Sequence, residues 1–533
     1  MPHPENPPAI TLPETHLLDE PVLPLECRAE WLDREPAVLA VPVHPPVEEA
    51  ERARLGGEGS DVAARYGVDL LAEAERDLPG NAGSAGWTAV VRLPRALPGT
   101  PALPWEGLPG TIVLVGIGDG GAAAAREAGL ALGRAAAGTG EVALTIGDEL
   151  DAQTLRALVE GFLLSAYRMP RTGRTPAKAP PAPEALVLVG RVEGAPQALA
   201  EARAGARATW LTRLLSATPS STKNPDWIAR QATALVTDAP MTGGTLGVEV
   251  HDEQWLARQG MDAILAVGGG SATAPRLVVV TWRPDEAVRS VALVGKGITF
   301  DTGGISLKPR ESMVPMKTDM AGSATVLATA LAAAELGLPV QVTAVLPLAE
   351  NAMSGSSYRP GDVVTTYDGT TVEISNTDAE GRMVLADALG WTVATLAPDD
   401  VVDVATLTGA ATLGLGRSHA ALYAAEEDLA EALTRAGEET GEGLWRMPLV
   451  EEYRPALDSA VADVGHAVRE THVGGGSITA ALFLQRFTGD ARWAHLDIAG
   501  AGRSGKADSE LPANAPTGYG ARLLLRWLES LSG

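Results

Sequence analysis

The stretch VGKGITFDTGG (residues 294–304) runs from an apolar segment directly into a lysine, an aspartate and a pair of glycines. Two blocks of similar character follow, MKTDMAG (316–322) and NTDAEGR (376–382). Their ionisable side chains stand among small residues and near apolar ones such as Leu293 and Val384, which we expect in the core. Most of the remaining chain is therefore expected to act as a scaffold for these three blocks.

Carboxylates this close to a core repel one another and are costly to desolvate unless cations hold them. The four carboxylates are those of Asp301, Asp319, Asp378 and Glu380, and the side chains of Lys296, Lys308 and Arg382 would supply at most three positive charges. A pair of divalent cations would balance the carboxylates better, and such an arrangement is typical of two-metal hydrolases. Oxygen ligands suit Mg, Mn or Zn and do not decide among them.

The block NTDAEGR also has a structural interpretation, because an Asp-x-Glu pair ahead of an apolar run is typical of a helix start. Asp378 would then cap the helix, Glu380 would lie at the positive end of its dipole, and residues 383–389 would form its body. For this segment alone the helix start is the commoner interpretation. The combination of all three blocks favours the metal site.

The segments GKGITFDTGG (295–304) and NTDAEGR (376–382) resemble the two signature blocks of the leucyl aminopeptidase, or cytosol aminopeptidase, family. Other segments agree with this resemblance: MKTDMAG (316–322), RPGD (359–362), DVATLTGA (403–410) and WAHLDIAG (493–500). The resemblance is strong from about residue 260 to the C-terminus and only general before it. One departure is SATPSS (216–221), where the family usually has an Asn-rich turn.

The resemblance implies two metal sites per subunit, occupied by Mn or Zn. One site would use Lys296, Asp301, Asp319 and Glu380. The other would use Asp301, Asp378 and Glu380, so that Asp301 and Glu380 bridge the two metals. A lysine that binds a metal must be neutral, and its reference pKa is about 10.4, so the neighbouring dications must drive its proton off.

The resemblance also implies roles for the remaining polar residues. Lys308 and Arg382 would stay cationic and stabilise the oxyanion of the tetrahedral intermediate, and Arg382 would hold a bicarbonate that serves as general base. Four residues match positions that line the pocket for the N-terminal side chain: Met316, Thr406, Gly409 and Ala499. At position 502 the family often has methionine, and Gly502 would widen that pocket.

The expected activity is therefore an aminopeptidase that releases Leu or a similar residue from the N-terminus of peptides, with a homohexamer as the assembly that the resemblance implies. Two alternatives are a two-metal hydrolase of another class, such as a phosphoesterase, and a non-catalytic assembly protein. The sequence has neither a His-Glu-x-x-His nor a Gly-x-Ser-x-Gly motif, so a zincin and a serine hydrolase are disfavoured.

Composition narrows the possible partners and location. The net charge of −25 over 533 residues disfavours nucleic acids and anionic membranes. Cys27 is the only cysteine, which fits a reducing compartment and excludes an intrachain disulfide. No signal peptide and no apolar run of about 20 residues is apparent, so we expect a cytoplasmic protein without a membrane span.

Short apolar runs that alternate with Ala-rich segments predict an α/β fold with a smaller N-terminal α/β domain and a larger C-terminal catalytic α/β domain. The larger domain is expected to have a mostly parallel central sheet flanked by helices. The predicted divisions are a mobile tail (1–20), an N-terminal domain for assembly (21–183), a connecting strand and helix (184–215) and the catalytic domain (216–533).

Three local predictions concern strands and the turns that follow them. Ligands of parallel sheets bind at the carboxyl ends of strands, where we expect Lys296, Asp378 and Thr406. Residues 265–270 are predicted to form one of the buried strands. The pattern Gly116-x-Gly118-x-x-Gly121 follows a predicted strand, as in dinucleotide-binding turns, but such a pattern alone is more often a glycine-rich turn.

Overall fold

The computed structural model describes residues 14–18, 38–47, 52–57, 59–77, 80–106, 108–146, 150–169, 180–468, 473–505 and 511–532. The chain divides into two compact units, Thr11–Ala206 and Arg207–Gly533, here called the first and second units. Both are α/β, and the largely parallel sheets with flanking helices confirm the predicted fold class. Within the described residues, no helix combines the length and the apolar character needed to cross a membrane.

The first unit is built on a seven-stranded sheet with the order β1-β7-β6-β2-β5-β4, and β3 pairs with β2. Among the described strands of this sheet, only two pairs are antiparallel: β3 with β2, and β4 with β5. The strands are β1 (Glu14–Leu18), β2 (Val38–His44), β3 (Arg54–Leu55), β4 (Thr88–Arg92), β5 (Thr111–Gly116), β6 (Glu141–Thr145) and β7 (Ala185–Val189). The helices are α1 (Gly59–Tyr66), α2 (Leu70–Asp77), α3 (Ala122–Ala135) and α4 (Ala152–Ser165), and α5 (Ala195–Ala217) continues into the second unit.

The second unit is built on a nine-stranded sheet with the order β17-β16-β19-β15-β10-β12-β9-β8, and β11 pairs with β12. Its strands are β8 (Gly244–His251), β9 (Arg276–Pro284), β10 (Arg289–Gly295), β11 (Gly297–Asp301), β12 (Val340–Asn351), β15 (Asp400–Ala405), β16 (Ala420–Ala424), β17 (Leu444–Arg446) and β19 (Arg492–Asp497). The central strands β12, β10, β15 and β19 are parallel. A separate small sheet contains β13 (Val363–Thr365), β14 (Thr371–Glu373) and β18 (Val464–Gly465).

The helices of the second unit cover this sheet. They are α6 (Pro225–Asp238), α7 (Glu253–Gln259), α8 (Asp262–Gly268), α9 (Arg310–Met313), α10 (Ala321–Leu336), α11 (Glu380–Leu396), α12 (Gly409–Leu415), α13 (Glu427–Thr440), α14 (Gly476–Gln485) and α15 (Ala521–Ser530). Two 3-10 turns occupy Val314–Thr318 and Glu451–Leu457. Residues 291–295 of β10 are all buried, as expected for a central parallel strand with both faces covered.

Residues 265–270 are not a strand, because Asp262–Gly268 form α8. A short apolar run fits a buried helix as well as a buried strand, so periodicity could not separate the two. The helix is fixed by Asp387, whose Oδ2 accepts a hydrogen bond of 2.9 Å from the backbone N–H of Ile264 in its first turn. That partner is 123 residues away in the chain, which local sequence does not reveal.

The N-terminal divisions also differ from the predicted ones. Within the predicted mobile tail, residues 14–18 form β1 and pair in parallel with β7, while the rest of the tail lies outside the described residues. The predicted connecting strand, Ala185–Val189, lies inside the first sheet between β1 and β6. The division between the units falls within α5, after Ala206, and not at residue 183.

The glycines of the Gly116-x-Gly118-x-x-Gly121 pattern connect β5 to α3. A Cβ atom at Gly116 would lie 2.1 Å from the backbone oxygen of Ser84, so no side chain fits there. Gly118 has a φ of +60°, which favours glycine. Chain packing and turn geometry therefore account for two of the three glycines.

Candidate metal centre

Lys296 and Asp301 are placed by consecutive strands. Lys296 directly follows β10, and Asp301 is the last residue of β11. Gly295 allows this arrangement, because a Cβ atom there would lie 2.5 Å from the backbone oxygen of Gly322 at the start of α10. Both ionisable side chains are almost fully buried at the carboxyl ends of their strands.

Each of two lysines lies between two carboxylates. Lys296 Nζ is 2.9 Å from Asp319 Oδ2 and 2.9 Å from Glu380 Oε1. Lys308 Nζ is 2.8 Å from Asp301 Oδ2 and 2.5 Å from Asp378 Oδ1. The four predicted carboxylates and two of the predicted cations thus form one largely buried cluster, although they come from separate parts of the sequence.

The carboxylates of the cluster outnumber its ammonium groups. Burial, followed by repulsion from Glu380 and Asp319, raises the pKa of Asp301 well above its ordinary value. Burial also raises the pKa of Asp319 and that of Asp378. For Glu380 burial acts in the same direction, but Lys296 and Lys308 outweigh it and lower the pKa.

For the two lysines, burial acts on the pKa in the opposite direction. Burial disfavours their charged forms, yet the surrounding carboxylates outweigh burial and raise the pKa of Lys296 and that of Lys308. Both are therefore ammonium groups in this arrangement. Four carboxylates face only two ammonium groups here, so the cluster can accept further positive charge.

The oxygen atoms of the cluster suit a divalent cation. One carboxylate oxygen from each of Asp301, Asp378 and Glu380 lies within 4.8 Å of the other two. Glu380 Oε2 is buried and has no hydrogen-bond partner, which is costly for a carboxylate oxygen. An unpartnered oxygen in an electron-rich, oxygen-lined cluster fits a hard metal ion.

Glycines give these side chains the space to converge. Gly303 and Gly304 have φ of +86° and +60°, and a Cβ atom at Gly303 would lie 2.8 Å from Asp378 Oδ1. A Cβ atom at Gly381 would lie 2.5 Å from Lys296 Cε. The glycines of the sequence blocks are therefore required by the ionisable residues beside them.

The helix predicted after NTDAEGR exists as α11, but Asp378 does not cap it. The N-cap residue is Ala379, which has no side-chain capping bond, and Asp378 pairs with Lys308 instead. Asp378 also does not follow a strand of the main sheet, because the preceding strand β14 ends at Glu373 in the small sheet. Asp378 reaches the cluster from the start of the helix, and Lys296 and Thr406 reach it from strand ends.

Arg382 lies in the first turn of α11 and is buried. Its Nη1 donates a hydrogen bond of 2.6 Å to the backbone oxygen of His466. Burial lowers the pKa of Arg382 to about 10, so it stays cationic at neutral pH. Its Nε has no hydrogen-bond partner, which leaves a donor for an anion.

The four predicted substrate-binding residues come from different elements of the fold. Thr406 belongs to it directly, because its Oγ1 donates to Asp319 Oδ1 at 2.7 Å and its backbone oxygen accepts from Lys296 Nζ at 3.1 Å. Met316 lies in the 3-10 turn that precedes Asp319. Gly409 begins α12 and is exposed, and Ala499 follows β19 and is buried.

Asp497, which the sequence did not single out, links the ends of β15 and β19. Its Oδ1 accepts hydrogen bonds from the backbone N–H groups of Leu407 and Ala499, both at 3.1 Å. Its Oδ2 accepts one of 2.6 Å from Thr408 Oγ1. This buried carboxylate therefore fixes the segments that carry Thr406, Gly409 and Ala499.

Asn351 at the end of β12 is a second residue without a sequence prediction. Its Nδ2 donates to Asp301 Oδ1 at 2.8 Å and to the backbone oxygen of Thr377 at 3.0 Å. Tyr358 also donates to the Thr377 oxygen, at 3.0 Å. Asn351 lies at the carboxyl end of its strand, where ligands of such sheets bind, but only the structure shows that β12 extends that far.

Comparisons with known proteins match most of the chain to proteins of one family. The model of the cytosol aminopeptidase family, catalytic domain, matches residues 210–525. A probable cytosol aminopeptidase of Leifsonia xyli subsp. xyli is 43% identical over 494 residues, which cover 90% of this chain and 95% of that protein. A probable cytosol aminopeptidase of Rhodococcus jostii is 40% identical over 435 residues, which cover 79% of this chain and 83% of that protein.

A solved structure also resembles this one. The bottromycin maturation enzyme BotP in complex with Mn has a TM-score of 0.77 and 35% sequence identity. The match covers 93% of this chain and 100% of the BotP chain.

Proposed function

Since the chain belongs to the cytosol aminopeptidase family and is therefore a peptidase, we propose that it releases Leu or a similar residue from the N-terminus of peptides. The observation that carries the proposal is the buried cluster in which four carboxylates face only two ammonium groups. An excess of buried negative charge is what a site for divalent cations requires.

The proposed cofactors are two Mn or Zn ions per subunit, and the solved BotP complex with Mn supports the metal class. Lys296, Asp301, Asp319 and Glu380 would hold one ion, and Asp301, Asp378 and Glu380 the other. When bound, such ions lower the pKa of water and so supply a nucleophile at neutral pH. Lys296 Nζ would bind as the neutral amine, so it must give up the proton that Asp319 and Glu380 stabilise.

Lys308 and Arg382 are proposed as the catalytic cations. Lys308 Nζ lies between Asp301 and Asp378 and keeps its proton, so it can stabilise negative charge that develops on the substrate carbonyl oxygen. Arg382 also stays cationic at neutral pH, and its unpartnered Nε is available to hold an anion such as bicarbonate. Neither side chain can act as a base while it is protonated.

The N-terminal side chain of the substrate is proposed to contact Met316, Thr406, Gly409 and Ala499. Thr406 anchors this surface to the metal ligands through Asp319. Gly502 adjoins this surface, because a Cβ atom there would lie 3.7 Å from Thr406 Cγ2, but it would also lie 2.8 Å from the backbone oxygen of Ile498, so a larger residue at 502 would require the backbone to shift. The proposal further includes a cytoplasmic homohexamer that acts on peptides, with neither nucleic acid nor membrane as a partner.

The substrate class is tested with three chromogenic compounds after chelation and reloading with Mn²⁺ or Zn²⁺. We expect release of p-nitroaniline from leucine p-nitroanilide, and none from its N-acetylated form, because an aminopeptidase requires a free N-terminus. We also expect no hydrolysis of p-nitrophenyl phosphate. Hydrolysis of the phosphate ester alone would replace the proposal by a phosphoesterase, and no hydrolysis of any of them would favour a non-catalytic protein.

A further inference from the structure

The turn that follows α5 contains a lysine with an unusual environment. The side chain of Lys223 is fully buried, and its Nζ donates to two backbone oxygens, that of Ser216 at 3.0 Å and that of Lys317 at 2.6 Å. Ser216 lies in the last turn of α5, and Lys317 lies in the 3-10 turn Val314–Thr318. One ammonium or amine group thus joins two segments that are about 100 residues apart.

A second lysine makes the reciprocal connection. Lys317 Nζ donates to the backbone oxygen of Ala217, the last residue of α5, at 2.8 Å. The last carbonyl groups of a helix have no partner within it and carry its negative partial charge, so donors with positive charge are favoured there. Lys223 and Lys317, which we call the lysine clasp, therefore bind the end of α5 to the 3-10 turn.

The 3-10 turn leads directly into Asp319, the fourth carboxylate of the cluster. The backbone N–H of Asp319 donates to the oxygen of Met316 at 3.1 Å. The converging oxygens belong to Asp301, Asp378 and Glu380, whereas Asp319 reaches the cluster through Lys296 and Thr406. The position of Asp319 thus depends on what holds the turn.

Packing alone does not explain a lysine at position 223. Burying an ammonium group is costly, and an apolar side chain of similar volume would avoid that cost. Burial also lowers the pKa of Lys223 well below its ordinary value. The side chain does, however, donate hydrogen bonds to two carbonyl groups in different segments, which would otherwise be without a donor.

We propose that Lys223 and Lys317 are positioning residues that hold the 3-10 turn against α5, so that Asp319 completes one of the two metal sites. The inference rests on the proposed function, which assigns Asp319 to only one of the two metal sites. The carbonyl groups that the clasp binds at the end of α5 belong to Ser216 and Ala217, in the segment 216–221 where the sequence departs from the usual pattern of the family.

The proposal predicts that loss of the clasp weakens one metal site and spares the other. The test uses Lys223→Met and Lys317→Met in the full chain, with Mn²⁺ titrated by isothermal calorimetry. A matched control is Thr218→Val, which removes a hydroxyl donating to Leu214 O at 2.8 Å within the same end of α5 without touching the 3-10 turn. Steady-state kinetics on leucine p-nitroanilide accompany each titration.

We expect two Mn²⁺ ions per subunit in the wild type and in Thr218→Val. In either lysine variant one ion should bind as in the wild type and the other at least about 10-fold more weakly, the effect of removing a supporting contact from a metal ligand. At limiting Mn²⁺, kcat should fall and excess Mn²⁺ should restore it, which a general loss of stability would not produce.

Two results separate the possible failures. Two ions bound with wild-type affinity in both lysine variants would overturn the clasp and leave the proposed function standing. A wild-type protein that binds fewer than two ions would overturn the two-metal proposal and the clasp together. If Lys223→Met does not fold, Lys317→Met decides alone, because it removes only the bond to Ala217 from a half-buried side chain.

Discussion

Asn351 Nδ2 donates a hydrogen bond of 2.8 Å to Asp301 Oδ1, and the same nitrogen donates to Thr377 O at 3.0 Å. An uncharged donor thus connects the strand-end carboxylate to the segment just before Asp378. The contact orients Asp301 without reducing the excess negative charge of the cluster. A cation added to the cluster would therefore meet a carboxylate that is already held in place.

Replacing Asn351 by aspartate should destabilise the protein. The variant has nearly the same shape but loses both donors and adds an unpaired buried charge, which typically costs about 3–5 kcal/mol. The free energy of unfolding from urea titrations should fall by that amount, and saturating Mn²⁺ should restore part of it. An unchanged free energy of unfolding would show that the hydrogen bonds of Asn351 do not hold Asp301.

Replacing Lys308 by methionine should slow the reaction without removing the metals. All four carboxylates remain, so two Mn²⁺ ions should still bind. The loss of one group that stabilises an oxyanion typically lowers kcat about 10²- to 10³-fold. Kinetics on leucine p-nitroanilide at saturating Mn²⁺ measure the effect, and a kcat within about twofold of wild type would remove Lys308 from the catalytic residues.

Replacing Gly381 by alanine should damage the site and not the helix. The new methyl group would lie 2.5 Å from Lys296 Cε and would push this side chain away from Glu380. Alanine is otherwise favoured over glycine inside a helix by about 1 kcal/mol. We therefore expect α11 to remain helical while Mn²⁺ binding becomes weaker.

Gly390 in the same helix provides the control for that variant. A Cβ atom at Gly390 would lie 3.6 Å from Tyr367 Cδ1, an ordinary contact, so Gly390→Ala should keep wild-type metal binding. If Gly381→Ala also bound Mn²⁺ as the wild type does, the close approach of Lys296 to α11 would have no role in the site.

His466 should make the protein sensitive to acid. Its Nε2 lies 2.8 Å from the oxygen of Asn376 and must donate to it, and its Nδ1 lies 3.2 Å from the oxygen of Glu373 and 3.3 Å from the backbone nitrogen of Ser375. Burial, followed by the charge of Arg382, lowers the pKa of His466 to about 4, so the ring is neutral at neutral pH. The unfolded chain, with a histidine pKa of about 6.5, binds the proton more readily.

The stabilisation by neutral His466 is fully present above about pH 6.5 and is lost as the pH falls toward about 4. This group alone should lower the free energy of unfolding by about 1.4 kcal/mol per pH unit in that window. The variant His466→Gln keeps a donor and cannot titrate. The stability difference between wild type and variant should therefore shrink on acidification, and a difference independent of pH would contradict the account.

Sequence blocks predicted much of the cluster because their glycines and charges belong to the same short segments. Lys296 and Asp301 are five residues apart, and both follow apolar runs that form strands. The run at 265–270 failed as a prediction because its helical state depends on Asp387, far away in the chain. Local pattern is therefore informative where one segment supplies both the strand and the ionisable group.

Long-range partners had no comparable signal. Asn351 and Asp301 are 50 residues apart, and Lys223 and Lys317 are 94 apart. Each contact depends on where the sheet and α5 bring unrelated segments together. A lone Asn or Lys in the sequence is compatible with many exposed positions, so only the fold identifies these residues.

Glu380 provides the most direct test of the two-metal site, because it would bridge both ions and its Oε2 lacks any other partner. The measurement is the rate of leucine p-nitroanilide hydrolysis after chelation and stepwise return of Mn²⁺, for wild type, Glu380→Ala and the exposed control Glu431→Ala on α13. We predict metal-dependent hydrolysis in wild type and control, and a loss of at least about 100-fold in Glu380→Ala, more than supporting residues cause. A Glu380→Ala variant that keeps the wild-type, metal-dependent rate would contradict the proposed site.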